Sequence, residues 1–570
     1  MIGRISILTL MGLDIGVVVG VLAVGFVELV LWLNDAFLLT ATSHWSVDDP
    51  TLRTAMIIGI PTLGGLLVGM LSMFLPEKQF DGLQNVIEIA HTPHPVMPVR
   101  RSTLSSLAAV LSLGTGASVG QYGPLAHMGA SIGSWISRVM HADRSVGIIG
   151  VACGCAAAIS AAFHAPIAGL VFAREVVLRQ YSLRAFAPIA VASILGYVID
   201  HIIFGRTPLF RSSDLIVAAP WEYFVFIAIG ILGAFVATVF MRAIEFAANL
   251  SRKLHWPVPV KTALAGLALG IVALEVPEIL GIGMETLRVA MNGDTFGALD
   301  LVTILVAKLL LTALCLGFGF AGGVFSPALL VGTLFGALIG TGAQWIVGEP
   351  HSPIAIYAVC GMVAVAGPVI GAPLTAVLIV FELTQSFDLA TAALASVAFA
   401  NLIAFRIYGR SFFDVQLRQK GFDLSLGRDK VMAQQRTIEP LIDCDYTAFA
   451  AKRPLHEIRD GLVADKCSEA YITDENGAYV GTLTLHRVME IASDEPSLDK
   501  PAGSYAVKEA VVLNPDDTIW EAMSRLEEFV GESIPVVRDE RLVGVLLGST
   551  IVSAYLELID SIRREDNAAA

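Results

Sequence analysis

Two short stretches about two hundred residues apart carry the residue types that could hold an anion inside a membrane. Gly120-Gln121-Tyr122-Gly123-Pro124 and Gly322-Gly323-Val324-Phe325-Ser326-Pro327 each set a glycine-rich break, a bulky residue and then a proline within apolar sequence. Such a break ends one helix, and the proline, with its preset φ and no N–H to lose, opens the next. The first turn of the new helix then exposes N–H groups that have no partner within the helix, at the positive end of its dipole. Two such turns aimed at one place near the bilayer midplane make an anion site. The backbone amides of Gly123, Val324 and Phe325 would supply weak donors there, without a fixed cation that traps the ion. The alternative is that the glycines and prolines only let helices pack and kink.

The elements that must position these turns are membrane helices. Hydrophobic residues make up 55% of the 570 and charged residues only 15%, with a mean hydropathy of +0.71, which excludes an ordinary soluble globular chain. Apolar stretches succeed one another as far as Ile407. Several of them (104–119, 146–163, 166–178, 354–367 and 373–383) are too short or too broken to cross about 30 Å of hydrocarbon as straight helices. Half-length helices require protein or a cavity around their ends, so a thick interior around a pathway is expected. Gly123-Pro124 and Ala165-Pro166 in the first half have analogues in Ser326-Pro327 and Ala372-Pro373 in the second, which points to an internal, inverted repeat. The apolar run within Met1 to Leu33 exceeds the core of a signal peptide and is expected to stay as the first membrane helix. Arg4, Arg100 and Arg101 favour a cytoplasmic N-terminus.

Near Phe422 the character changes. From Lys430 onward there are 26 acidic and 14 basic residues, against 25 and 23 before it, so nearly all of the net charge of −14 belongs to the tail. That is the surface of an aqueous domain. Residues 470–474 and 478–483, joined through Asn476-Gly477, read as a hairpin followed by a helix from Leu485, and 533–538 with 542–547 repeat the pattern. The expected organisation is a membrane domain over 1–420, a linker over 421–435 and two tandem α/β units over 436–570. Six scattered cysteines suit packing, with neither disulfides nor a metal site, and no nucleophile, base and orienting residue occur together, so no enzyme is expected.

These motifs bring the chain to a family. Over about Gly12 to Lys420 it resembles the CLC chloride channels and proton/chloride exchangers, and the tail resembles a tandem pair of CBS modules. Gly120 to His127 sits where that family has a Gly-Arg-Glu-Gly-Pro motif. Lys308 to Pro327 resembles its Gly-x-Phe-x-Pro region, and Phe163 to Gly169 and Gly371 to Thr375 resemble its paired Ala-Pro helix starts. The resemblance implies a mostly α membrane protein of tilted and broken helices in an inverted repeat, with a small cytoplasmic α/β domain. It further implies a homodimer in the lipid bilayer, multi-pass in the cell (inner) membrane, with cytoplasmic N-terminus and tail. Each subunit would carry chloride or a similar small anion, with no cofactor and no nucleic acid partner.

Against that pattern the departures are informative. Tyr122 holds the place of the family's gating glutamate, and Gln121 that of the preceding arginine; a neutral phenol neither mimics an anion nor shuttles protons as a carboxylate does. Val176 falls where the exchangers carry an inner proton-loading glutamate. Glu175 beside it corresponds to another acidic position and reads as a paired structural carboxylate, with Arg174 as the expected partner. Phe413 takes the place of the family's pore tyrosine, in a segment placed near the end of the last membrane helix. Asp81 aligns with its pore serine, where an ionised carboxylate would repel chloride; it is protonated, turned away or displaced, or else is a solvated helix cap. His127 and His164 could make gating pH-dependent or could be packing residues. In the tail, Thr484, Arg487 and Thr550 lie where CBS modules hold adenine nucleotides, but the ribose-binding aspartate is replaced by Arg487 in one unit and Thr550 in the other. Dimer contacts or coupling to the pore are the expected role there. The function expected is a passive anion channel or uncoupled anion transporter. The alternatives are a proton-coupled antiporter whose acid has moved to Asp81 or Glu175, and a non-conducting membrane sensor. A fluoride exporter fits less well.

Overall fold

The computed structural model describes residues 2–37, 49–92, 96–141, 143–179, 183–205, 216–292, 296–347, 352–424, 428–491, 498–508, 511–529 and 531–568. The chain divides into two compact units, Met1–Asp423 and Leu424–Ala568. In the first, helices α1 (Ile2–Phe37), α2 (Pro50–Ser72) and α3 (Leu83–Ala90) lead into α4 (Val99–Gly114) and α5 (Tyr122–Val139). There follow α6 (Arg144–Phe163), α7 (Pro166–Phe172) with a π-helical turn at Ala173–Leu178, and α8 (Leu183–Phe204). The second half runs α9 (Glu222–Lys253), α10 (Val258–Ala273), α11 (Met284–Asn292), α12 (Ala298–Gly317), α13 (Phe325–Val347), α14 (Ile354–Ile370), α15 (Pro373–Thr384), α16 (Phe387–Ile407) and α17 (Phe412–Gln419). Eight stretches among the described residues are long and apolar enough to cross a membrane.

The halves repeat each other. α5 packs on α6 as α13 packs on α14, and α7 follows α6 onto α8 as α15 follows α14 onto α16. Each α6-type helix ends in a left-handed residue, His164 (φ 54°) in the first half and Gly371 (φ 76°) in the second, followed by an extended alanine and a proline that starts the next helix. The left-handed turn reverses the chain within two residues, so a half-length helix can stop inside the protein. The two halves meet where α7 packs on α15. There, the Glu382 carboxyl near the end of α15 accepts from the N–H groups of Ile167 (2.8 Å) and Ala168 (2.7 Å) at the start of α7. Glu175, just past α7, accepts from Leu374 N–H (3.1 Å), Thr375 N–H (2.9 Å) and Thr375 Oγ1 (2.7 Å) at the start of α15. Each helix carries the acid that caps the other, which is only possible if they run antiparallel: the repeat is inverted.

The second unit has two lobes. In one, the hairpin β2 (Glu469–Thr473) and β3 (Tyr479–Thr484), with β1 (Ala448–Ala450) parallel to β2, packs on α19 (Leu455–Asp465) and α20 (Leu485–Ile491). In the other, β4 (Ser533–Arg538) and β5 (Arg541–Leu547) pack on α21 (Ile519–Leu526) and α22 (Gly548–Ala568). Helix α18 (Arg428–Ala433) falls within the segment expected as a linker, and its Met432 and Ala433 lie in the core of this second lobe. Tyr471 joins the lobes, its hydroxyl donating to Ser533 O (2.9 Å). Burial there pushes the phenol's pKa up.

Candidate functional site

The two motifs found in the sequence meet in the structure. Gly120 N–H donates to Gly323 O (2.7 Å) and Gly323 N–H to Gly120 O (2.8 Å), a two-residue antiparallel bridge on the inverted repeat's axis. Gln121 N–H also donates to Ser326 Oγ (3.3 Å). The approach is close enough to require glycine, since a Cβ on Gly120 would come within 2.7 Å of Gly323 O and 2.9 Å of Pro327 Cδ. We expect Gly120→Ala to lower stability by about 1–3 kcal/mol through this overpacking, read as a lower unfolding temperature in detergent. An unchanged temperature would mean that the bridge gives way freely.

From the bridge, α5 and α13 depart with matching starts: Tyr122, Gly123 and Pro124 against Phe325, Ser326 and Pro327. Intrahelical bonding begins only at Leu125 N–H to Gln121 O and Ala328 N–H to Val324 O. The amides of Tyr122 and Gly123 in one helix, and of Phe325 and Ser326 in the other, therefore have no acceptor within their own helix. Gln121, Tyr122, Gly123, Val324 and Phe325 are all buried. Beside them Gln121 Oε1 is buried without a hydrogen-bond partner.

Rings fill the space in front of these turns. The Tyr122 ring stacks on Phe163 at 3.9 Å and meets Phe325 edge-on at 5.3 Å, and Phe163 and Phe172 lie 5.2 and 6.2 Å from Phe325. Tyr122, Phe163 and Phe172 are each no more than 1% exposed. A cavity of about 10 Å³ beside Phe325 is at the lower limit for a single water. The sequence motif located Tyr122; it did not reveal Phe163 as its partner, because 41 positions separate them and only the antiparallel packing of α6 on α5, with Gly133 against Gly150 and Gly129 against Gly154, brings them together.

The other candidate residues fall in different places. Asp81 is not a solvated cap. Its side chain is 5% exposed and its carboxylate lies 2.7 Å from Arg101 Nε and 4.0 Å from His127 Nε2. Helix α3 is instead capped at Gly82, whose N–H donates to Asn85 Oδ1. Burial beside a guanidinium on α4 explains how a carboxylate can stand near this part of the interior without being a bare negative charge. Val176 is 1% exposed in the π-helical turn. Phe413 lies near the end of the last apolar span, Phe387–Gln419, but on a separate helix within it: it is the second residue of α17, which starts after Gly409 (φ 128°) with Ser411 as its cap. Its ring meets Phe412 at 6.0 Å, and among the described residues no ring contact joins it to the Tyr122 cluster. Thr484, Arg487 and Thr550 belong to the second unit, with Arg487 exposed and Thr484 Oγ1 accepting from Arg487 N–H.

One buried cation escaped the sequence reading. Lys308 on α12 is fully buried, and its Nζ donates to Ile279 O and Gly281 O at 2.8 Å. Gly281 N–H in turn bonds Gly116 O, just ahead of the α5 break. A lone lysine in a stretch with no other charged residue from Leu301 to Phe325 was the available signal.

Inverted halves of broken helices, two helix starts facing each other inside an apolar unit, and an α/β tail together define a class of membrane transport protein. A family model described as voltage gated chloride channel matches residues 63–404, and one described as CBS domain matches residues 502–557. The putative chloride channel protein ClcB-like of Ralstonia nicotianae is 30% identical over 338 residues, covering 58% of this chain and 78% of the relative. The H(+)/Cl(-) exchange transporter ClcA of Citrobacter koseri is 26% identical over 414 residues, covering 71% of this chain and 86% of that one. Two solved structures share the fold. A slow cyanobacterial Cl-/H+ antiporter has a TM-score of 0.66 at 23% identity, covering 72% of this chain and 97% of its own. A eukaryotic CLC transporter has a TM-score of 0.63 at 18% identity, covering 95% and 97%. The chain belongs to the voltage-gated chloride channel family, whose members are anion transporters.

Proposed function

We propose that this member conducts chloride-type anions passively, without moving protons in exchange. The carrying observation is Tyr122: at the meeting point of the two helix starts stands a neutral phenol packed against Phe163 and Phe325. A proton-coupled cycle needs a group there that alternates between charged and neutral, and a phenol stays neutral at physiological pH. The second position is equally apolar, as Val176 cannot load a proton. Neither substitute acid is free to take over. Asp81 is paired with Arg101, and Glu175 is engaged by three donors at the start of α15.

In this reading the unpaired amides around Gly123 and Phe325 replace part of the ion's hydration shell, Gln121 and Tyr122 add adaptable polar groups, and the ring cluster is a closed constriction that must open for passage. Lys308 braces the break from behind, its Nζ donating to Ile279 O and to Gly281 O, while Gly281 N–H bonds Gly116 O just ahead of α5. Two copies side by side in a cell membrane, with N-terminus and tail in the cytoplasm, complete the proposal; the tail acts through contacts and not through an adenine nucleotide. The test is chloride release from proteoliposomes loaded with chloride, with external pH recorded in the same cuvette. Chloride release with no linked proton uptake is expected. Stoichiometric proton movement would refute passive conduction.

A further inference from the structure

The most conspicuous titratable pair inside the membrane unit has no part in that account. His164 Nδ1 lies 2.7 Å from Asp200 Oδ2 on α8, with the side chains 8% and 1% exposed. His164 directly follows Phe163, the ring stacked on Tyr122. We propose that His164 and Asp200 form a proton-binding site that sets how readily anions pass the Tyr122–Phe163 constriction; the gating half of this proposal rests on the anion-path reading above.

Three observations set this pair apart from structural ion pairs. Three of the acids that hold helices here are saturated: Glu382 accepts from two backbone N–H groups, Glu175 from two and a hydroxyl, and Glu222 from Tyr357 Oη and the N–H groups of Ala219 and Ser352. Asp200, by contrast, has no hydrogen-bond partner at either carboxylate oxygen, although His164 Nδ1 lies close to Oδ2. Next, His164 occupies a left-handed turn whose repeat mate is Gly371. A non-glycine residue in that conformation is strained, so the histidine is kept at a position better suited to glycine. Finally, the junction is coupled to α8 on both sides of His164: Ser160 Oγ donates to Ser193 O (2.6 Å) and Ser193 Oγ to Pro166 O (2.7 Å). A change in the pair therefore acts on the segment that carries Phe163.

The chemistry follows from the geometry. If the ring nitrogen facing the carboxylate, Nδ1, carries the proton of the neutral imidazole, the free lone pair is at Nε2, where an incoming proton binds. The pair then goes from one net negative charge to none. A negative charge beside the path repels an anion and its removal favours entry, so anion flux rises as pH falls. The route for the proton is short, since Asp200 lies within the last turn of α8, where His201, Ile202 and Ile203 are exposed. The neighbours leave little else to titrate. Helix α7 contributes no ionisable side chain over Pro166–Phe172, α5 presents the Tyr122 phenol, and α8 adds Tyr197 and His201, stacked on each other. Gly20 of α1 packs against Gly196 and Ile199, which brings Glu28 of α1 toward the same end of the helix pair. With Val176 unable to take up a proton, the proton modulates passage and is not carried through.

The experiment compares chloride efflux from proteoliposomes between pH 5 and 8 for the native protein, His164→Asn and Asp200→Asn. Native flux is expected to rise at least about tenfold toward low pH, the lower end of what one unit charge exerts on an anion at an effective dielectric near 20. Asp200→Asn should be fixed at the high level and His164→Asn at the low level, each varying less than about twofold; a purely structural role would move both the same way. In parallel, 15N-histidine NMR in nanodiscs, with the His164 signal assigned by its loss in His164→Asn, reads the proton without any flux. A one-step titration altered by Asp200→Asn is expected. No titration at His164, or a flux profile that either variant leaves pH-dependent, overturns the proposal. Titration of His164 in a protein that passes no anion would refute the anion path and the gating role, and keep the proton site.

Discussion

Tyr122→Ala is expected to raise chloride efflux by about 10- to 100-fold. The ring closes the space before the two helix starts through its contacts with Phe163 and Phe325. Aromatic pairs of this kind contribute about 0.5–1.5 kcal/mol each beyond burial, so losing both lowers an opening barrier by about 1–3 kcal/mol. Tyr122→Phe separates the ring from its hydroxyl: it keeps the stack, and flux within about threefold of the native protein is expected. If the phenylalanine variant instead loses flux, the hydroxyl is a donor to the passing ion and the ring matters less. If the alanine variant passes nothing in a protein that remains folded and monodisperse, the constriction lies elsewhere or the protein does not conduct, and the membrane-sensor reading gains.

The second large effect is expected at the junction of the two halves. Glu382→Ala removes the acceptor of two N–H groups at the start of α7 that have no partner within their own helix. Hydrogen bonds to a charged group contribute about 1.5–3 kcal/mol each, so a loss of about 3–5 kcal/mol is expected. Glu382→Gln keeps one good acceptor oxygen and should lose about half of that. Glu175→Ala should match or exceed the first, because three donors lose their partner. Unfolding followed by intrinsic tryptophan fluorescence in detergent measures all three. The double alanine variant should fall short of the sum, since each acid caps the helix that positions the other. Additive losses would show that α7 and α15 are held independently.

What could be read from the sequence and what could not divides along contact range. Tyr122, Gly123 and Phe325 were legible because a helix start is a local event, written in four or five adjacent residues with a proline at a fixed offset. The paired Ala-Pro starts were legible for the same reason, and they gave the inverted repeat. Long-range partners were not. Nothing near Glu175 names Thr375, 200 positions away, and nothing near Asp81 chooses Arg101 over solvent; both pairings exist only once the helices are packed. The break between α16 and α17, just ahead of Phe413, went unread although the local signals existed, with Gly409 to stop one helix and Ser411, three residues before Asp414, to cap another. The apolar residues on either side hid that break. His164 was noticed as a titratable residue, but its meaning came from Asp200, which stands on a helix that sequence alone offered no reason to bring there.

The central claim is that anions cross without protons. Its most direct test is the reversal potential of purified protein in a planar bilayer under a chloride gradient, measured with no pH gradient and then with one of two units opposing it. The account predicts a reversal at the chloride equilibrium potential in both conditions, with the pH gradient changing at most the size of the current. A reversal potential that shifts with the proton gradient would contradict it and show that an acid other than Tyr122 or Val176 carries protons through this protein.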